Sequence, residues 1–232
     1  MTIISIKQGN DAELFRVEFS DASSCVFRAS YLSDSLIASL ASFNRNSLEV
    51  QPDSQEESSP PEISEDEEQA FHFAASCYRA EKQALALVAR AEQCSTGLSR
   101  KLEKRGYGTA VVKAIVSRLL EQGVVDDRRY ALRWLASRLA RSPECPRKLL
   151  AALLNRGISR EDAEKTLKET LPPEEEYRLL KNYLVKKRLS FSEFSAEPER
   201  NADPSLRYTL KAEGFSFRTL DRFREEEELN RD

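Results

Sequence analysis

At 232 residues, with 36 Lys/Arg against 39 Asp/Glu and only seven Gly, the chain reads as helix-rich and charge-laced rather than as a sheet sandwich or a disordered polymer. A single His, four Cys without a C-x-x-C pair, and the absence of G-x-x-x-x-G-K-[ST] and G-x-G-x-x-G argue against zinc clusters, a Ser-His-Asp apparatus, ATP motors and nucleotide-dependent dehydrogenases. No stretch approaches the roughly 20 apolar residues of a membrane span, and MTIISIKQGNDAE lacks the layout of an export signal, so a cytoplasmic protein without cofactor, metal or enzymatic activity is expected.

The first element is a small sheet. In ELFRVEF, Phe15, Val17 and Phe19 alternate with Arg16 and Glu18, the period of a half-buried strand; DASS follows as a turn and SCVFR resumes, so a β-hairpin is predicted. Leu32, Leu36, Ile37, Leu40 and Phe43 then recur at helical spacing behind Ser33 or Ser35 as caps. Residues 1–50 form this β-hairpin plus helix extension. Residues 51–69, QPDSQEESSPPEISEDEEQ, hold one aliphatic residue among prolines, serines and acids, and read as a linker whose last acids enter the next helix.

From Ala70 onward the pattern is helical and repeats. LSRKLEKRGY, LLAALLNRGI and LRYTLKAEGF align Leu98, Leu149 and Leu206, then Leu102, Leu153 and Leu210, then Gly106, Gly157 and Gly214, each Gly followed by an apolar residue, Tyr107, Ile158 or Phe215. A left-handed Gly that ends a helix and an apolar residue folding back onto it explain the pattern. Thr109, Ser159 and Ser216 are cap candidates for the helix that follows each glycine. Further helices are predicted before each pair, over 78–92, 128–141 and 174–189. The fold class is mainly all-α, an elongated array of three tandem three-helix repeats over 70–123, 124–171 and 172–232, behind the N-terminal extension.

Charge follows this order. Residues 1–69 carry a net −10, 70–170 a net +9 and 171–232 a net −2, and a basic middle suits a polyanionic partner. In EQGVVDDRRYALRWLASR, residues 121–138, one of Asp126 and Asp127 caps the next turn and the other favours its dipole; a two-carboxylate metal site lacks further ligands. On a helical wheel Ala131, Leu132, Trp134, Leu135 and Leu139 share an apolar arc and Arg129 and Arg133 face away. Arg138 falls within the arc and should snorkel or meet a carboxylate, for which Asp126 or Asp127 is the nominee. Arg100, Lys101, Lys104, Arg105, Arg129, Arg133, Arg147 and Lys148 are the candidate binding residues. The Lys186, Lys187, Arg188 run is weaker, because three consecutive residues point around most of a helix.

GVVDDRRYALRWL (123–135), LLAALLNRGI (149–158) and DAEKTL (162–167) together resemble the RecX family of bacterial recombinase regulators, over roughly residues 78–225. The resemblance implies a curved array of three-helix repeats, and a non-catalytic monomer that acts in DNA repair, recombination and the SOS response. Such a protein binds the RecA filament on single-stranded DNA, with double-stranded DNA as a further partner, and inhibits RecA ATP hydrolysis, strand exchange and coprotease activity, or disassembles the filament. The departures are Tyr130 where Phe is frequent, two prolines within 138–148, and a lengthened connection over 189–204. The alternative is a DNA-binding protein, either sequence-non-specific or reading a major groove with helix-turn-helix-like pairs.

Overall fold

The computed structural model describes residues 2–9, 11–40, 63–189 and 206–230. The chain divides into two compact units, one of Met1–Ala91 with Leu98–Val124, the other of Glu92–Gly97 with Val125–Asp232.

The first unit opens on three strands, β1 (Ile3–Gln8), β2 (Leu14–Phe19) and β3 (Ser24–Arg28), antiparallel in the order β1-β2-β3. The predicted hairpin is β2-β3; the strand before it was not predicted. Its inward residues are Ile3 and Ile6, three apart, because a register shift between Ile3 and Ser5 changes the phase of the pleat, and such a bulge erases period-2 alternation. The inner face of the sheet, Ile3, Ile6, Val17, Phe19, Cys25 and Phe27, closes on Leu40 and on Phe71, Ala74 and Ala75. Leu40 ends a described helical stretch, α1 (residues 34–40), which begins after Ser33; Phe43 lies outside the described residues.

The long helix α2 (Glu65–Arg90) starts earlier than the 78–92 expected. Ser64 and Glu67 make a reciprocal capping box, and Glu65, Asp66, Glu67 and Glu68 fill the first turn, where negative charge is stabilised by the helix dipole. The end of the predicted linker is thus a helix start. Along α2, Phe71, Ala74 and Ala75 serve the sheet, and the helix also packs on α4 (Thr109–Glu121). A buried ion cluster joins these elements. Glu81, 5% exposed, takes Arg28 Nε at 2.9 Å from β3, while Arg118 Nε of α4 stands 3.8 Å away, an ion pair beyond hydrogen-bond reach. Arg28 also meets Asp11 at 2.5 Å, and Arg118 meets Glu13 at 3.4 Å.

Between α2 and α4 lies α3 (Ser95–Glu103). Gly106 takes φ +88°, and the bonds Gly106 N to Glu103 O and Tyr107 N to Leu102 O make the Schellman closure the repeat predicts. The same pair of bonds recurs at Gly157 with Ile158 and at Gly214 with Phe215. Thr109 does not cap: Gly108 holds the N-cap position of α4 and no side chain supplies a bond. Ser159 and Ser216 do cap, accepting from the N–H groups of Asp162 and Thr219.

The second unit holds α5 (Asp127–Arg141), α6 (Pro146–Leu154), α7 (Arg160–Thr170), α8 (Pro173–Lys187), α9 (Leu206–Ala212) and α10 (Phe217–Leu229). Ala131, Leu135, Leu149, Leu153, Ile158 and Ala163 form one core; Leu180, Leu184, Leu210, Phe215 and Leu220 belong to another. Leu132, assigned to the apolar arc of α5, is 37% exposed. Each core also takes in a buried thiol just ahead of a helix, Cys94 before α3 and Cys145 before α6. These mark two joints of one design. Cys94 Sγ donates to Arg156 O at 3.4 Å and Thr96 Oγ1 to Gly157 O at 3.3 Å. In the second joint Cys145 Sγ reaches Glu213 Oε2 at 2.5 Å and Arg147 N donates to Glu213 O at 2.9 Å.

Candidate nucleic-acid interface

The acid pair at the start of α5 is spent on helix ends. Asp126 is the N-cap, accepting from Arg129 N at 2.9 Å. Asp127, expected to act only on its own helix, accepts from Ser95 N at 2.6 Å and Ser95 Oγ at 2.5 Å, so it also ties down the start of α3. Glu176 of α8 does the same for α10, taking Ser216 N and Oγ at 2.7 Å each and Thr219 Oγ1 at 2.6 Å. Among the described residues no group of three or more His, Cys, Asp or Glu is placed to hold a metal ion. Asp127→Ala and Glu176→Ala are each expected to lower stability by about 1–2 kcal/mol, the cost of a lost helix cap, as read by denaturant unfolding.

Two of the predicted binding arginines are tied up in an ion pair. Arg129 Nε lies 2.7 Å from Glu92 Oε1 and Arg133 Nη1 lies 2.9 Å from Glu92 Oε2. With Glu92 only 16% exposed and Arg133 still 68% exposed, the carboxylate is sheltered and the arginines cover it. Reversing both charges would leave Glu92 facing two like charges in a poorly solvated place. The Arg129→Glu/Arg133→Glu pair is therefore expected to unfold at lower denaturant than the parent, which makes it a poor probe of binding.

Arg138 finds its carboxylate in Glu144, not in Asp126 or Asp127: Nη2 to Oε1 is 2.6 Å and Nε to Oε2 is 3.1 Å. Glu144 is 5% exposed and Lys148 approaches it at 3.5 Å. The Arg138 hydrogen bonds hold the Glu144 carboxyl below its ordinary value of 4.5 against the opposing effect of burial. A depressed folded pKa means that the unfolded chain takes up the proton first as pH falls. The contribution of Glu144 is whole above pH 4.5 and is lost below it. Acid unfolding of Glu144→Gln should accordingly show a shallower loss of stability below that pH than the parent.

The other six candidates divide between the units. Arg100, Lys101, Lys104 and Arg105 are exposed on α3 and the turn that closes it, and Arg105 Nη1 folds back on Lys101 O at 3.1 Å, a bond that also satisfies a carbonyl at the helix end. Arg147 and Lys148, exposed on the first turn of α6, line a cleft of about 580 Å³ together with Lys186 and Lys187 from the end of α8. The lysine run judged weaker in sequence thus supplies half of that cleft's cations. Spacing gave no signal for this, because the cleft joins residues some forty positions apart. Trp134, placed on the apolar arc as a core residue, is only half-buried, and Arg156 stacks on its ring 4.3 Å from the centroid.

These features define a tandem helical-repeat protein, with hairpins sealed by left-handed glycines and cations displayed at helix ends. A family model described as RecX, second three-helix domain, matches residues 126–167. The regulatory protein RecX of Treponema pallidum (strain Nichols) is 37% identical over 119 residues, covering 51% of this chain and 73% of that protein. That of Mycobacterium leprae (strain Br4923) is 31% identical over 161 residues, 69% of this chain and 86% of that one. A crystal structure of regulatory protein RecX shares the fold with a TM-score of 0.60 at 18% identity, covering 95% of this chain and 97% of the other. The chain belongs to the RecX family of regulatory proteins. No helix among the described residues is long and apolar enough to cross a membrane.

Proposed function

We propose that this chain is a cytoplasmic, monomeric, non-catalytic regulator that binds the RecA filament on single-stranded DNA and inhibits its ATP hydrolysis, strand exchange and coprotease activity. In this reading the chain comprises an extension over 1–50, a linker over 51–69 whose last residues already belong to α2, and three repeats over 70–123, 124–171 and 172–232. Membership of the RecX family supports it. The physical observation that carries it is the set of exposed cations in both units, Arg100, Lys101, Lys104 and Arg105 in one and Arg147 and Lys148 in the other. A helical filament repeats the same surface along its groove, so several weak contacts made by successive repeats add into one avid attachment. Occupying the groove blocks entry of a second DNA and hinders the rearrangements of protomers that couple hydrolysis to turnover. Phosphate contacts add salt-sensitive affinity without base readout.

The alternative, a major-groove reader, needs free side chains at the start of the second helix of a pair. Val111 and Val112 of α4 are 8% and 2% exposed, and Arg160 of α7 pairs with Glu164 at 3.1 Å, which leaves poor material for base contacts. The test is titration of the chain into cognate RecA on single-stranded DNA at two salt concentrations, following ATP hydrolysis. Suppression well below one regulator per recombinase, weakening with salt, is the expected result; hydrolysis indifferent to the added chain sinks the proposal.

A further inference from the structure

We infer that the cleft between the start of α6 and the end of α8 seats the phosphodiester backbone of a single nucleic-acid strand. The inference rests on the proposed partnership with a DNA-bound filament and narrows it to one place. Four cations from two elements, Arg147, Lys148, Lys186 and Lys187, converge on the 580 Å³ concavity, with the buried Cys145 and Tyr183 also lining it. Of the two acids of the lining, Glu144 is paired with Arg138 at 2.6 Å and with the cleft's own Lys148 at 3.5 Å, and Glu213 takes the neutral Cys145 thiol at 2.5 Å, so that Arg147, Lys186 and Lys187 outweigh the one carboxylate left without a cation. Lys186 Nζ rests on Ser142 Oγ at 2.5 Å and Pro143 O at 3.1 Å. Those neutral acceptors orient the ammonium and leave its charge uncancelled. A concave wall of net positive charge attracts an incoming anion.

The placement of the cations is informative in itself. Lys186 and Lys187 end a helix, where positive charge stabilises the dipole, so they have a structural reason to be there. Arg147 does not. It occupies the first turn of α6, which contains no acid, and positive charge at that end opposes the dipole; Lys148 beside it answers the buried Glu144 at 3.5 Å. Folding alone would favour Asp or Glu at position 147, whereas a polyanionic ligand accounts for the inversion. Size selects the ligand further. The cleft falls within the roughly 300–1,000 Å³ of sites that enclose small ligands, room for a sugar-phosphate segment of one strand.

The experiment uses the full chain and a short fluorescent oligothymidylate, with anisotropy recorded across a salt series. The parent should bind with an affinity that falls steeply with salt. Replacing Arg147, Lys186 and Lys187 together by glutamine should flatten the slope of log K against log salt by about 2, three contacts at roughly 0.7 each for a single strand. A Lys165→Gln/Lys168→Gln variant, altering exposed cations of α7, should keep the parental slope. Circular dichroism of all three proteins should coincide, since each changed side chain lies at the surface. An unchanged slope in the triple variant, no binding by the parent, or tighter binding of a duplex through the same three residues overturns the inference. The filament proposal fails by a different result: a parent chain that binds the oligothymidylate yet leaves recombinase ATP hydrolysis unaltered.

Discussion

Glu81→Ala should destabilise the first unit by about 3 kcal/mol, the low end of the cost of removing one partner from a buried ion pair. The carboxylate is almost wholly buried and faces Arg28 and Arg118, whose side chains are 23% and 22% exposed. With it gone, both guanidiniums keep their desolvation cost, and the carboxylates left to them are the outer, more exposed Asp11 and Glu13. Because Arg28 lies on β3 and Arg118 on α4, the loss should loosen the sheet from the helices first. Hydrogen exchange of the amides over 14–28 should accelerate more than that of α7, which belongs to the other unit. Replacing all three charged residues by methionine should recover most of the stability, since a buried ion cluster is seldom better than well-packed apolar side chains of similar volume. Equal acceleration in both units, or no loss in the single variant, would contradict this account.

Gly157→Ala is the second large effect, again about 3 kcal/mol, from a left-handed backbone costing roughly 1 kcal/mol for a residue with a Cβ and a forced displacement in a packed place costing about 2 more. A Cβ at Gly157 would lie 2.2–2.6 Å from Oγ1, Cβ and Cγ2 of Thr96. Gly106 has nearly the same backbone, φ +88° against +86°, but nothing within 4 Å of an added Cβ. Gly106→Ala should therefore show the backbone cost alone. The difference between the two variants, measured by urea unfolding, isolates the steric part, and equal losses would mean that the joint at Thr96 yields freely. Thr96→Gly in the Gly157→Ala background should restore part of the difference.

The contrast between these glycines shows what was legible in the sequence. Gly106, Gly157 and Gly214 look alike in sequence because a local rule, the left-handed helix end, places all three. What distinguishes them is a neighbour some sixty residues away. The same division holds elsewhere. Leu98, Leu102, Leu149, Leu153 and Leu210 are all buried as the repeat predicts, since periodicity within a helix decides them. Strand β1 was missed because its bulge breaks the alternation that reveals strands. The last acids of the linker enter the next helix as expected, because an acid run suits a helix start, while the helix begins at Glu65 rather than at 78. Among the binding candidates, Arg129 and Arg133 were read as outward from their wheel positions, but the wheel is blind to Glu92 on another segment. Of the two outcomes open to Arg138, snorkelling or meeting a carboxylate, the second holds, but the partner is Glu144 rather than Asp126 or Asp127, because Glu144 lies beyond the helix end. One long-range signal was available in the sequence. Cys94 and Cys145 stand 51 positions apart, the same interval as Leu98 and Leu149, and this marks equivalent places in successive repeats.

The joints at those cysteines have an implication for how such chains grow. Among the described residues, each seam is made by a helix start and the next glycine bend. Connector length is thereby uncoupled from the contact it spans, which accounts for the intervals of 51 and 57 residues between successive glycines closing on similar seams. Inserting or deleting residues over 190–205 should leave the grip of Glu213 and Gly214 on Arg147 intact. A lineage can therefore vary its tethers, or add another module, without inventing a new coupling.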